Sequence, residues 1–162
     1  MPATAKNIEG QLAIGDKAPH FTMPSNHGEI IFTAQGSKNI VLYFYPRDDT
    51  PGCTLEAKDF RDNIKEFEKL DAVIIGVSKD SVASHDKFKE KYCLPFPLAS
   101  AAETSTCEDY GVWKEKMNYG KAYMGIERST FLIDKKGIIR QIWRKVKVEG
   151  HVDAVLAAVK EL

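Results

Sequence analysis

The 162-residue chain has only three cysteines, Cys53, Cys93 and Cys107, and no two of them form a CxxC pair. So sparse, odd and widely spaced a set excludes a disulfide framework and fits a reducing, cytoplasmic compartment. There is no HExxH, and His20, His27, His85 and His151 are scattered, so no metal site is expected. Net charge is also missing, because 23 Lys and Arg balance 23 Asp and Glu. That balance speaks against a protein built to grip nucleic acid or an anionic membrane. No apolar run approaches the ~20 residues of a membrane-spanning helix; the longest, around residues 40–44 and 72–77, are strand-sized. The opening MPATAKNIEG has no basic end followed by an apolar stretch, so no secretory leader is expected. Repeats and low-complexity linkers are absent, and the length suits one globular domain over residues 1–162.

What remains reads as alternating strands and helices after a polar lead-in over residues 1–17. Residues 21–33 suggest two short strands around the turn-rich Ser25-Asn26-His27-Gly28. Asn39–Phe44, a β-branched and aromatic run, fits a buried central strand. Residues 46–53 form a loop. Beyond it Ala57, Phe60, Ile64, Phe67 and Leu70 recur at spacings of three and four, one apolar face of a helix. Thr50 suits its N-cap and Pro51 its first position. A second buried strand follows over residues 71–78. A helix capped by Ser81 then carries Val82, His85, Phe88 and Tyr92 on one side, until Pro95 and Pro97 end it. Residues 96–98 lead to a short helical stretch around 104–110. Ser129–Ile133 and residues 138–143 flank Asp134-Lys135-Lys136-Gly137, a hairpin turn. Residues 151–162 close the chain as a helix with Val152, Val155, Leu156 and Val159 inward. The order implies an α/β sandwich whose first crossover is parallel.

Cys53 falls in or beside the first turn of the first helix, just past the carboxyl end of the Asn39–Phe44 strand. Open α/β sheets keep their sites at such ends. The thiolate is the nucleophile, and a free cysteine, with a pKa of about 8.5, is only slightly ionised at neutral pH. A helix N-terminus offers unpaired N–H donors and about half a positive charge to the anion. Gly52 leaves room for a substrate, and the Thr50 hydroxyl can donate to one substrate oxygen and accept from another. A cation completes such a site. Arg128, leading into Ser129–Ile133, is the first choice for its forked donors, and Arg47 the second. Each residue also has a bland reading. Most cysteines are small buried hydrophobes, a threonine before a helix is often only a cap, and a lone arginine is usually a surface charge. The polar loop and helix start around Cys53 favour chemistry there.

Pro46-x-x-x-Thr50-x-x-Cys53 matches the active-site pattern of the peroxiredoxins. The residues around it, from Tyr43 to Thr54, and Phe60-Arg61-Asp62 are similar to the peroxiredoxin Q branch, also called bacterioferritin comigratory protein. So are residues 110–114, 125–128 and 130–134, and the resemblance covers about residues 12–160. It implies a thioredoxin-like fold of peroxiredoxin type: a central mixed sheet flanked by helices, with an N-terminal β extension. It implies thiol-dependent reduction of hydrogen peroxide and organic hydroperoxides through a Cys53 sulfenic acid, without a cofactor. Thr50 and Arg128 would polarise and hold the peroxide, and Pro46 would shield the thiolate. Electrons would come from thioredoxin, glutaredoxin or a small thiol, and the branch implies a monomer, with dimers among its members.

The chain departs from its relatives in the second cysteine. Many carry a resolving cysteine five residues after the first, where this chain has Lys58, or in the following helix, at the place aligned with Lys89. A one-cysteine cycle resolved by an external thiol is therefore expected. Cys107 sits where relatives often have a dispensable cysteine and reads as structural. Cys93 is the alternative resolving residue. It lies four residues, about 6 Å, beyond Lys89 on a continuing helix, but Leu94-Pro95 should end that helix. Disulfide closure needs Cα atoms within about 7 Å, so the Cys53 turn would have to unwind. Two rival functions remain: a monothiol–disulfide oxidoreductase, and a non-enzymatic redox sensor or holdase. A sensor oxidises once and stops, which separates it from an enzyme.

Overall fold

The computed structural model of the chain describes residues 11–162, so most of the polar lead-in lies outside the described residues. Its centre is β3 (Asn39–Phe44), every residue of which is buried. Side chains alternate across a strand, and here the alternation divides the core. Ile40, Leu42 and Phe44 join one apolar cluster, while Val41 and Tyr43 join the other.

Strand β4 (Ala72–Ser78) runs parallel to β3, and β5 (Leu98–Ser100) parallel to β4. Strand β8 (Ser129–Ile133) pairs antiparallel with β3 on its other side, and β9 (Ile139–Trp143) antiparallel with β8. The hairpin of β1 (Thr22–Ser25) and β2 (Gly28–Ile31) adds to the far edge through an antiparallel contact of Ser25 with Ala99. Among the described residues the result is a seven-stranded mixed sheet, ordered β2-β1-β5-β4-β3-β8-β9. It is the expected α/β, thioredoxin-like arrangement with its N-terminal β extension.

Helices α1 (Pro51–Asp62), α2 (Ile64–Lys69), α3 (Val82–Tyr92) and α5 (His151–Lys160) contribute Phe60, Phe67, Phe88 and Val155 to the cluster that holds Cys53. The short α4 (Thr106–Asp109) and Tyr110 just after it pack into the opposite cluster. Full burial of one such side chain is worth about 1.5–3 kcal/mol, so these two layers fix the sheet between them.

Three details differ from the sequence expectation. The helix over residues 57–70 is two, because Asn63 leaves helical geometry with φ −108 and ψ 9 and its side chain donates to the Asp59 carbonyl. Its apolar periodicity survives the break, since Phe60 and Phe67 are both buried. Strand β4 begins at Ala72 rather than Asp71, whose φ of 55 is left-handed. A separate hairpin, β6 (Trp113–Asn118) with β7 (Lys121–Ile126), is unannounced in the sequence. Its strands are largely solvent-exposed and so lack the apolar alternation that marks a half-buried strand. Tyr119 and Gly120 both have positive φ at its tip, as a tight hairpin turn requires.

Candidate active site

Proline at the first helical position pre-sets φ and loses no needed donor, and Pro51 starts α1 in that way. Cys53 is two residues further on, in the first turn, and only 1% exposed. Thr50 occupies the N-cap position but does not cap with its side chain. Its hydroxyl instead donates to the Arg47 carbonyl at 3.0 Å. That corrects the expected cap and leaves the hydroxyl oxygen, a lone-pair acceptor, at the mouth of the turn.

Arg128 reaches Cys53 through strand pairing. Strand β8 runs antiparallel to β3 with Ser129 opposite Phe44. The residue before β8 therefore lies beside the loop that leaves β3, where α1 begins. From there Arg128 Nη2 donates to Cys53 Sγ at 3.4 Å, and Nη1 donates to Glu56 Oε1 at 2.7 Å. A Cβ built on Gly52 would stand 3.1 Å from Arg128 Nη2. The space expected to admit substrate is thus occupied by the guanidinium. Arg47, the second candidate cation, is exposed instead.

Glu56 is the residue that sequence reasoning missed. It lies one turn after Cys53, on the same face of α1, and is fully buried. The i, i+3 spacing of a cysteine and a glutamate was the available signal. Burial raises its carboxyl to about 7, against the opposing pull of Arg128. Its second oxygen, Oε2, has no hydrogen-bond partner and faces His151 Nε2 at 4.0 Å. That imidazole nitrogen is 2.8 Å from Thr130 Oγ1. Burial, and then Arg128, lower His151 to about 4, so its ring is neutral. Burial alone would lower Arg128, but Glu56 and Cys53 outweigh it and raise the guanidinium further.

Pro46 and Arg47 border an open hollow of about 480 Å³, shared with Lys79, Trp113 and Lys116. Lys116 donates to the Ile126 carbonyl, and burial, followed by repulsion from Arg128, lowers its pKa. Beneath the loop, Asp48 is buried and accepts from Tyr45 and Ser84. Among the described residues no three His, Cys, Asp or Glu side chains gather into a metal site.

The other two thiols are differently placed. Cys107 packs in the apolar cluster on the opposite side of the sheet, and burial pushes its thiol up to about 12. Cys93 is exposed at the end of α3, at a C-cap with left-handed φ of 53, so the helix stops where the Leu94-Pro95 reading put it. All three cysteines are free. The end of α3 is tied down: Arg61 donates to the Tyr92 carbonyl at 2.8 Å, and Tyr92 Oη donates to Asp49 at 2.8 Å.

A buried cysteine at a helix start, held by a clamped guanidinium on a thioredoxin-like sheet, is the framework of a thiol peroxidase. Residues 14–142 match the AhpC/TSA family, and the chain belongs to it as a peroxiredoxin, an oxidoreductase. Its place is in the peroxiredoxin Q, or bacterioferritin comigratory protein, branch. It is 55% identical over 152 residues to Peroxiredoxin Bcp of Bacillus subtilis, covering 93% of this chain and 97% of that one. It is 51% identical over 146 residues to the putative peroxiredoxin bcp of Coxiella burnetii, covering 90% and 97%. Among solved structures, peroxiredoxin Q of Xanthomonas campestris superposes with a TM-score of 0.83 at 48% identity, covering 87% of this chain and 90% of that one. A PrxQ variant of Xylella fastidiosa superposes with a TM-score of 0.87 at 39% identity, covering 92% and 96%.

Proposed function

We propose that the protein reduces hydrogen peroxide and organic hydroperoxides through Cys53, in a one-cysteine cycle resolved by an external thiol. The observation that carries this reading is the Arg128 guanidinium, which donates to Cys53 Sγ while Glu56 holds its other arm. The Cys53 thiolate attacks one peroxide oxygen; the S–O bond forms, the O–O bond breaks, and sulfur is oxidised by two electrons to a sulfenic acid. The departing alkoxide or hydroxide takes a proton from solvent water and leaves as an alcohol or water. Arg128 and Thr50 hold the peroxide, the Thr50 oxygen by accepting from its O–H; Arg128 stabilises charge on the leaving oxygen, and Pro46 shields the thiolate. An external thiol then forms a mixed disulfide with Cys53 and releases water, and a second thiol frees Cys53.

Thioredoxin, glutaredoxin or a small thiol supplies the electrons, and the protein works as a cytoplasmic monomer. No helix among the described residues is long and apolar enough to cross a membrane. A two-cysteine cycle through Cys93 is the second reading, favoured by that thiol's exposure at the end of α3.

One equivalent of hydrogen peroxide added to the reduced protein, followed within seconds by intact mass, tests both. A gain of about 16 Da, trapped at Cys53 by a sulfenate reagent, is the expected result. A loss of about 2 Da would replace the one-cysteine cycle by an internal disulfide, with Cys93→Ser identifying the partner. An unchanged mass would remove the peroxidase assignment from Cys53.

A further inference from the structure

Arg128 is one cation between two acids. Its Nη2 lies 3.4 Å from Cys53 Sγ and its Nη1 2.7 Å from Glu56 Oε1. The Glu56 side chain is fully buried and that of Arg128 only 16% exposed, so water does little to screen the group. When both acids are ionised, the site holds two negative charges and one positive charge. Two anions sharing so small a buried space resist ionising together.

The surroundings do not relieve the excess. On α1 itself Asp59 adds a further repulsion to Glu56. From β3, Tyr43 faces both Glu56 and Cys53 with a buried hydroxyl that has no partner. From α5, His151 stays neutral, since burial and Arg128 both oppose its protonation. Its Nε2 is 4.0 Å from Glu56 Oε2, and from β8 Thr130 meets the same nitrogen. Lys116 of β6 interacts with Cys53 and Arg128 but donates its hydrogen bond to a backbone carbonyl. The unpartnered Oε2 is the atom on which an extra proton would sit, beside a neutral imidazole.

We propose that Glu56 is a positioning residue that exchanges one negative charge with Cys53 across Arg128. It is protonated while Cys53 is a thiolate and ionised once Cys53 is a thiol or a sulfenic acid. The proposal rests on the reading of Cys53 as the atom that attacks peroxide. The charges balance: thiolate, neutral Glu56 and ROOH give sulfenic acid, Glu56 carboxylate and ROH. The proton on Glu56 is released as the alkoxide gains one, and Arg128 remains paired throughout. Because burial already raises Glu56 to about 7, the exchange falls in the neutral pH range.

Infrared difference spectroscopy on protein carrying ¹³C-labelled glutamate tests this in the unaltered chain. Glu56 is the one fully buried glutamate among the described residues, so a protonated glutamic acid band near neutral pH reports on it. The band is expected in the reduced protein and should be lost on one equivalent of hydrogen peroxide. Its absence, or its persistence after oxidation, overturns the proposal. Intact mass on the same sample separates this failure from that of the peroxidase reading, which would leave Cys53 unoxidised. The Glu56→Gln variant supplies the sign. Removing a competing anion should move the iodoacetamide alkylation profile of the active-site thiol down by about one pH unit. If Glu56 only holds Arg128 in place, the profile stays put or moves up, and the exchange is refuted.

Discussion

His85 Nδ1 lies 2.7 Å from Asp48 Oδ2, a buried contact that fastens α3 to the loop leading from β3 to Cys53. The other ring nitrogen, Nε2, lies 3.1 Å from the Ala99 carbonyl on β5. Asp48 also accepts from Tyr45 Oη at 2.5 Å and Ser84 Oγ at 2.8 Å, and its backbone N–H donates to Asp80. One side chain thereby joins the loop, α3 and the sheet. His85→Ala removes a buried partner of the Asp48 carboxylate and the contact that ties α3 to the loop, which costs about 2–4 kcal/mol. Urea melts should show that loss. A double-mutant cycle with Asp48→Asn should show strong coupling; additive losses would mean that the pair is not a unit.

Two groups beside Arg128 give the stability of the fold opposite pH slopes. Burial raises Glu56 from 4.5 to about 7, so the native state prefers the protonated carboxyl. Its contribution is present below pH 4.5 and is lost as pH rises through 7. His151 falls from 6.5 to about 4, so its contribution is present above pH 6.5 and lost as pH falls through 4. Between these limits the two slopes oppose each other, so the contributions of Glu56 and His151 partly cancel in the unaltered protein. Glu56→Gln removes one slope, so the variant should gain on the unaltered protein as pH rises from 4.5 to 7. His151→Gln should gain as pH falls from 6.5 to 4. Chemical denaturation across pH 4–8 reads both, and parallel curves for all three proteins would contradict the assignment.

Cys107 and Cys53 lie in apolar clusters on opposite sides of the sheet, which makes a bond between them impossible without unfolding. Burial also holds the Cys107 thiol up at about 12, so it is a poor nucleophile. Brief alkylation of the native protein at pH 8 should therefore mark the exposed Cys93 and the proposed nucleophile Cys53 and spare Cys107. Peptide mapping checks this. Prompt labelling of Cys107 would show that its cluster opens readily.

The sequence disclosed those parts of the structure that rest on local pattern. The N-I-V-L-Y-F run is β3, Ser81 caps α3 by accepting from Ser84 N at 3.1 Å, and the turn over residues 134–137 joins β8 to β9. The β6–β7 hairpin escaped notice because exposed strands need no apolar face. The break at Asn63 escaped because its cause is a single side chain that bonds its own helix. At the candidate site, Cys53, Thr50 and Pro46 are close in sequence, so a local pattern is enough to propose them together. Arg128 required the antiparallel register of β8 on β3, which no spacing reveals. Glu56 was overlooked because a glutamate on a helix is ordinarily a solvated charge, and only burial shows otherwise.

Gly52 separates the effect of Arg128 on chemistry from its effect on folding. Gly52 lies in α1 and its φ is not positive, so alanine fits the backbone and, as the better helix former, should add up to about 1 kcal/mol. The new Cβ would nevertheless sit 3.1 Å from Arg128 Nη2, close enough to push the guanidinium by a few tenths of an ångström. The 2.7 Å bond to Glu56 resists that push, so the displacement should fall on the weaker 3.4 Å contact with Cys53 Sγ. Small errors in placing a group that holds substrate cost much in rate, so the role proposed for Arg128 predicts a loss of about 10-fold in kcat/KM for peroxide. Melting temperature should hold or rise while activity falls. Equal kcat/KM in Gly52→Ala and the unaltered protein would show that Arg128 need not stay in register with the cysteine. A joint fall in stability and activity would instead assign the glycine to packing alone.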